Sequence, residues 1–233
     1  MNTASAIDKN AIARRLLLLY FLFLAADLLF VALEKDHWRF FSKFFLMPLL
    51  AAYFLYAVQE KGLIKWIIPA LFFSWAGDVL LQFESSGKLF FLLGLSSFLL
   101  AHICYILFFH TIKVKEQLAS RRWLIVPVVI YYLGLILLLS PYLGEMKLPV
   151  RIYGIVISIM LLLALHTLFM KDKVVGKMLA TGAILFIISD SILAINKFYQ
   201  PFEPAGIIIM LTYGLAQVLL VVGAARYHSR NIS

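Results

Sequence analysis

The chain has 233 residues, 64% of them hydrophobic, with a mean hydropathy of +0.96 and a formal net charge of +9. Soluble domains are about 45–50% apolar, and charged residues at 14% of the chain could not shield so much apolar surface from water, so a soluble globular fold is excluded. The positive charge does not mark a nucleic-acid partner either. Lys and Arg sit mostly between apolar runs, where they set orientation and meet anionic lipid headgroups.

A helical span needs roughly 20 mostly apolar residues to cross the hydrocarbon layer. The sequence predicts such spans at 16–33, 44–59, 64–83, 89–109, 123–140, 150–169, 178–196 and 206–225. The first run, Leu16 to Leu33, is longer than the apolar core of a signal peptide and has no obvious small-residue cleavage site, so it is expected to be retained. Glu34-Lys35-Asp36-His37 closes it, Glu60-Lys61-Gly62 closes the second, and Glu84-Ser85-Ser86-Gly87-Lys88 closes the third. Pro141, Pro149, Pro201 and Pro204 mark later loops. Loops this short make neighbouring helices antiparallel and adjacent. Trp38, Trp66, Trp123 and Tyr142 lie near span ends, as an interfacial belt would. Cys104 stands alone, so it offers neither an internal disulfide nor a metal-ligand spacing. The expectation is an all-α, polytopic membrane bundle of about eight transmembrane helices, forming one domain over residues 1–233. Its location is an integral, multi-pass one, in a bacterial inner membrane or its equivalent.

The loops also predict orientation. The side that holds the N-terminus carries fourteen Lys and Arg, among them Arg14, Arg15, Lys113, Lys115, Arg121 and Arg122, against seven on the other side. Positive loops stay in the cytoplasm, which puts both termini there.

Polar residues within the apolar spans are the informative ones. Asp27, Lys43, Asp78 and Asp190 lie in or at the edge of spans, where a charge at the bilayer centre costs at least ~2.5–3.5 kcal/mol. Each is explained either by a buried Asp–Lys pair that holds helices together or by a shared functional site. Depth favours the site. With the N-terminus inside, Asp27, Asp78 and Asp190 each fall ~8–9 Å below the outer edge of the apolar layer, at a rise of about 1.5 Å per residue. Lys43 is expected to open the second span from that same outer side, and Asn196 and Lys197 to close the seventh there.

Face geometry adds to this. Ser74, Asp78 and Gln82 recur every four residues and stack on one face of the third span. Asp190 and Lys197 are expected to share a face of the seventh, and His102 and Tyr105 to be adjacent on the fourth. His102 lies deeper than the Asp layer and reads either as a site residue or as a neutral histidine bonded across helices. His166, Tyr153 and Ser158 on the sixth span are weaker candidates. A faint internal echo links Gly77-Asp78 with Ser189-Asp190 and Ala101-His102 with Ala216-Gln217. It suggests a four-plus-four repeat in which Asp78 and Asp190 face each other.

These strings carry a resemblance. Phe73-Ser74-Trp75-Ala76-Gly77-Asp78-Val79-Leu80-Leu81 resembles the Gly-Asp-x-x-Leu segment of the YhhN family, which includes the animal lysoplasmalogenases. Phe91, Gly94, Ser97, His102 and Tyr105 resemble its next segment, Gly182 to Asp190 a later one, and Tyr213 with Ala216-Gln217 the last. Lys43 with Met47-Pro48-Leu49-Leu50 is similar to the family's Lys-Pro span, except that Pro does not follow Lys43 directly. The resemblance implies hydrolysis of the vinyl ether bond of lysoplasmalogens to a fatty aldehyde and a glycerophospho-base. It carries over Lys43, Asp78, His102, Tyr105, Asp190 and Asn196 as essential polar positions.

The chemistry suits these residues. A vinyl ether is hydrolysed by protonation of its β-carbon, followed by addition of water to the oxocarbenium ion and collapse of the hemiacetal. A buried carboxylic acid can supply the proton while a second carboxylate steadies the cation, as at glycosidic centres. Asp78 and Asp190 are the expected catalytic pair, with the donor between them left open. Lys43, His102, Tyr105, Asn196, Lys197, Gln217, Tyr213 and Asp27 are expected to bind substrate or support the pair. Lys43 and Lys197 read either as partners for a lysophospholipid phosphate or as snorkelling interfacial lysines. No metal or other cofactor is required. Expected partners are the lysophospholipid substrate and membrane lipids, with no nucleic acid. A small ion- or lipid-coupled transporter using the same aspartates is the main rival reading, and a non-catalytic lipid-binding scaffold is the next. No Gly-x-Ser-x-Gly elbow and no Gly-rich phosphate loop occurs.

The orientation is testable with single cysteines in place of Lys88 and Lys115. Position 88 is expected to react with an impermeant reagent added from outside, and position 115 to be protected. Labelling at 115 but not at 88 would reverse the topology.

Overall fold

The computed structural model of the protein describes residues 3–58 and 64–230. Among them are eight long helices and no strand. In chain order these are α1 (Thr3–Ala32), α2 (Asp36–Ala57), α3 (Ile64–Gln82), α4 (Lys88–Lys115), α5 (Ile125–Leu139), α6 (Lys147–His166), α7 (Lys173–Ala194) and α8 (Ala205–Arg230). Seven helical segments of the described residues are long and apolar enough to cross a membrane. The remaining helix, α3, is continuous and carries Lys65, Ser74, Asp78 and Gln82. Large apolar side chains such as Leu18, Leu22, Ile130 and Leu137 lie exposed, which lipid accepts and water does not. The protein is an integral, multi-pass membrane protein.

The eight expected spans correspond to the eight helices, several of which run beyond the expected ends. The second helix begins at Asp36 rather than at 44, because Asp36 stabilises a first helical turn and the charges of Arg39 and Lys43 are turned into protein rather than lipid. The sixth begins at Lys147, so Pro149 sits in its first turn instead of in a loop; a missing N–H costs nothing there. The expected end of the second span at 59 and the Glu60-Lys61-Gly62 break lie outside the described residues. Asp172 caps α7, its carboxylate accepting from the backbone N–H groups of Val174 and Val175 at 3.0 and 3.1 Å.

The helices gather into two compact units. The first holds residues up to Cys104 and from Val221 onward; the second holds Tyr105–Leu220. In the first unit α1 packs on α2 and α2 on α3; in the second α5 packs on α6 and α6 on α7. Sequential helices joined by short turns are therefore neighbours, as expected.

Close approach inside each unit depends on small residues and hydroxyls. In the first, Ser97 of α4 donates to the Phe73 carbonyl of α3 at 2.6 Å, and Gly77 leaves room for the Phe98 ring. In the second, Ser189 of α7 donates to the Ile209 carbonyl of α8 at 3.0 Å, and Gly182 lies against Leu220 and the Ala216 carbonyl. Small residues bring membrane helices to dispersion contact where no hydrophobic force between them exists. The helix that carries Asp78 and the one that carries Asp190 are each clamped to the next helix by a glycine and a serine.

The α6–α7 corner is equally tight. Thr167 donates to the carbonyls of Ala164 and Gly176 at 2.6 and 2.9 Å, and a Cβ added at Gly176 would collide with the Thr167 backbone carbonyl. Backbone cannot rotate aside as a side chain can. Gly176→Ala is therefore expected to cost about 1–3 kcal/mol, read as a lower midpoint of thermal unfolding in detergent. An unchanged midpoint would mean that the corner is slack.

Candidate active site

Polar side chains meet in the first unit around α2. Pro48 lies inside this helix and has no N–H to give to the Phe44 carbonyl one turn earlier. The indole N–H of Trp75 on α3 donates to that carbonyl at 3.1 Å instead. The bond ties α3 to α2 three residues before Asp78.

Asp78 and Lys43 then meet. Lys43 Nζ lies 3.0 Å from Asp78 Oδ1, and the two residues are only 9% and 2% exposed. Lys43 is two helical turns inside α2, not at the opening of a span, and its partner is a protein carboxylate. Ser74, one turn before Asp78, is also buried, and Gln82, one turn after, is half-buried, so the expected polar face of α3 is real.

Asp27 of α1 joins this group. It is 0% exposed, and its Oδ1 is 2.9 Å from the Ser42 hydroxyl, the neighbour of Lys43 on α2. Lys43, Arg39 and Asp78 are the charged groups within Coulomb range of it. Three residues from three helices (Asp27, Lys43 and Asp78) thus form one buried polar centre. Ser42 was not singled out from sequence, because the apolar run was read as starting at 44.

The second unit holds Asp190. The Tyr153 hydroxyl of α6 donates to Asp190 Oδ2 at 2.7 Å. Tyr131 of α5 bonds to the Ser191 hydroxyl at 2.7 Å, and Ser191 in turn donates to the Ile187 carbonyl at 2.6 Å. Tyr153 rises from a weak candidate to the direct partner of Asp190. Tyr131 and Ser191 were missed, since one tyrosine among many in an apolar span carries no periodic signal.

Other expected residues fall into separate arrangements. Tyr105 donates to Gln217 Oε1 at 2.6 Å, both fully buried, and Phe186 packs against the Tyr105 and Tyr213 rings at centroid distances of 6.2 and 5.5 Å. Tyr105, Tyr213 and Gln217 therefore converge on α7 one turn before Asp190. His102 is fully buried, and its Nδ1–H donates to the Phe98 carbonyl of its own helix at 2.7 Å. This bond fixes the ring's tautomer. His166 bonds from Nδ1 to the Leu162 carbonyl and accepts the Arg121 backbone N–H at Nε2, a structural arrangement.

The end of α7 corrects the sequence reading. Residues Ile195–Tyr199 form a π-helical turn, which takes more residues per turn than an α-helix. Lys197 lies within this turn and is exposed. Asn196 accepts the Phe202 backbone N–H at 3.0 Å and so shapes the turn into α8.

The profile of the YhhN family matches residues 38–224. The chain is similar to lysoplasmalogenase TMEM86B of Rattus norvegicus, 33% identical over 174 residues that make up 74% of this chain and 67% of the relative. It is similar to the lysoplasmalogenase of Mycobacterium bovis, 31% identical over 164 residues, 68% of this chain and 60% of the relative. Lysoplasmalogenase TMEM86B of Homo sapiens is 32% identical over 183 residues, 77% of this chain and 73% of the relative. The chain thus spans 60% to 73% of the length of these relatives. No solved structure matches it.

Removing one partner of a buried ion pair leaves the other charge stranded, at about 3–5 kcal/mol, whereas removing both is often neutral. Lys43→Met is therefore expected to lower the detergent unfolding midpoint strongly, and Lys43→Met with Asp78→Asn to recover most of the loss. If the double variant is no more stable than the single one, the two side chains do not act as a pair.

Proposed function

The chain belongs to the YhhN family, and on that premise we propose that it is a membrane-embedded hydrolase. It cleaves the vinyl ether bond of lysoplasmalogen-type lysophospholipids, releasing a fatty aldehyde and a glycerophospho-base. The relatives named lysoplasmalogenase support the reaction class. The observation that carries the site is the buried Asp78 carboxylate of α3 held 3.0 Å from Lys43.

The reaction runs through an oxocarbenium ion, so it needs a proton delivered to the β-carbon and negative charge beside the cation. Asp78, beside the Lys43 ammonium, suits the anionic role. In a low-dielectric setting such a carboxylate steadies a developing cation and accepts the proton lost by the attacking water. Asp190 receives the Tyr153 hydroxyl on one oxygen, which orients its carboxyl group. Tyr105, bonded to Gln217, and Tyr213 pack their rings on Phe186, one turn before Asp190, and serve as supporting groups. A single-chain lipid can lay its tail between helices and leave its phosphate at the interface, where the exposed Lys197 is a suitable contact. With the N-terminus inside, that interface is the outer one.

The test is aldehyde release by the detergent-purified protein given lysoplasmalogen, with Asp78→Asn and Asp190→Asn assayed beside it. Each substitution is expected to cost about 10²–10⁴-fold in rate while the protein remains folded. A folded parent that releases no aldehyde sinks the reading, and lipid or ion flux in vesicles would then be measured for a carrier.

A further inference from the structure

Asp27 lies before the matched family segment, and its surroundings differ from those of the other two aspartates. Its carboxyl is fully buried, its Oδ1 faces the Ser42 hydroxyl at 2.9 Å, and its Oδ2 has no hydrogen-bond partner. Among the described residues no cation comes within ion-pair distance of it, because the Lys43 ammonium is taken by Asp78. Arg39, also on α2 and within Coulomb range, is half-buried.

Ser42 adds a constraint. Its hydroxyl lies 2.9 Å from Asp27 Oδ1 and 3.0 Å from the Arg39 carbonyl, and it has one proton for two acceptors. Thr167 and Thr212 also face two acceptors, but theirs are carbonyls, which carry no proton. A proton on Asp27 resolves the fork at Ser42. Asp27 then donates from Oδ1 to Ser42, and Ser42 donates to the Arg39 carbonyl. It also gives the buried carboxyl group a form that needs no ion-pair partner of its own.

We propose that Asp27 is held as a neutral carboxylic acid and is the group that supplies the proton for vinyl ether cleavage beside the Lys43–Asp78 pair; the second half of this rests on the hydrolase reading above. The expected division of work between Asp78 and Asp190 then changes, for both act as hydrogen-bonded carboxylates and a third carboxyl is the acid. In the step, the proton leaves the Asp27 carboxyl and the vinyl π pair forms the new C–H bond at the β-carbon. The oxocarbenium ion takes water at the α-carbon, and the proton lost by that water recharges Asp27, with Asp78 beside it as the first acceptor. The hemiacetal hydroxyl then loses its proton as its oxygen forms the aldehyde C=O, the carbon–oxygen bond to the glycerol breaks, and the leaving glycerol oxygen takes up that proton, giving aldehyde and alcohol.

Two readouts separate the parts. The first needs no substrate: the infrared carbonyl stretch of a protonated carboxylic acid in the purified protein at neutral pH. It is expected in the parent, absent in Asp27→Asn, and retained in Asp78→Asn. A band that survives Asp27→Asn overturns the proposal. The second is aldehyde release, expected to fall at least about 100-fold in Asp27→Asn and to be partly restored in Asp27→Glu. A lost band with an unchanged rate overturns the proton-supplying role. No aldehyde from the parent, with the band still assigned to Asp27, overturns the hydrolase reading and supports the neutral acid. Should Asp27→Asn fail to fold, Ser42→Ala removes the hydroxyl that receives the Asp27 proton. It is expected to shift the band, and an unshifted band would overturn the proposal.

Discussion

Charge inside hydrocarbon must find its counter-charge within the protein, and the Lys43–Asp78 pair is where this chain meets that demand. The pair draws an ammonium two turns into α2 and a carboxylate near the end of α3 to 3.0 Å. Neither helix could hold its charge against lipid alone. Everything near the pair is arranged around it. Trp75 occupies the carbonyl that Pro48 leaves unserved, Ser42 holds Asp27 to α2, and α1 is fixed to α2 by the same hydroxyl. A buried pair is weak evidence of stability in itself, since an apolar replacement is often as good. A reactive site gives a reason to keep a pair that stability alone would not.

The helix that carries Asp78 has a polar stripe along one face. Ser74, Asp78 and Gln82 make α3 a poor span in isolation, and its polar face is tolerable only against α2 and α4. The same logic applies to α7 in the second unit, where Tyr153 of α6 gives its hydroxyl to Asp190 and Tyr131 of α5 bonds to the adjacent Ser191. Tyrosine serves well in this role, because its ring is at home in an apolar layer and its hydroxyl reaches a partner several ångströms from the backbone. Each acid is thus matched by its own unit, through an ammonium in one and a phenol in the other.

The eight helices, their order and the membrane setting were legible in the sequence, because hydrocarbon imposes one crude requirement: about 20 apolar residues per crossing. The charged residues placed inside apolar spans were legible for the same reason, as Asp27, Lys43, Asp78 and Asp190 stood out against that requirement. Their partners were not. An apolar-run reading stops at a charge, so it started α2 after Lys43 and passed over Ser42; only packing shows that the charges of this helix point into protein. Periodicity assumes α-helix throughout, so it could not foresee the π-helical turn over Ile195–Tyr199 that ends this helix. A tyrosine in an apolar span looks like any other aromatic until a carboxylate is found 2.7 Å from its hydroxyl. Sequence alone determined which groups had to be buried at a cost, since that depends on composition along one dimension. Tertiary structure alone decided which of them share a proton, an ion pair or a hydroxyl, since hydrogen bonds and ion pairs are settled over about 3 Å between residues far apart in the chain.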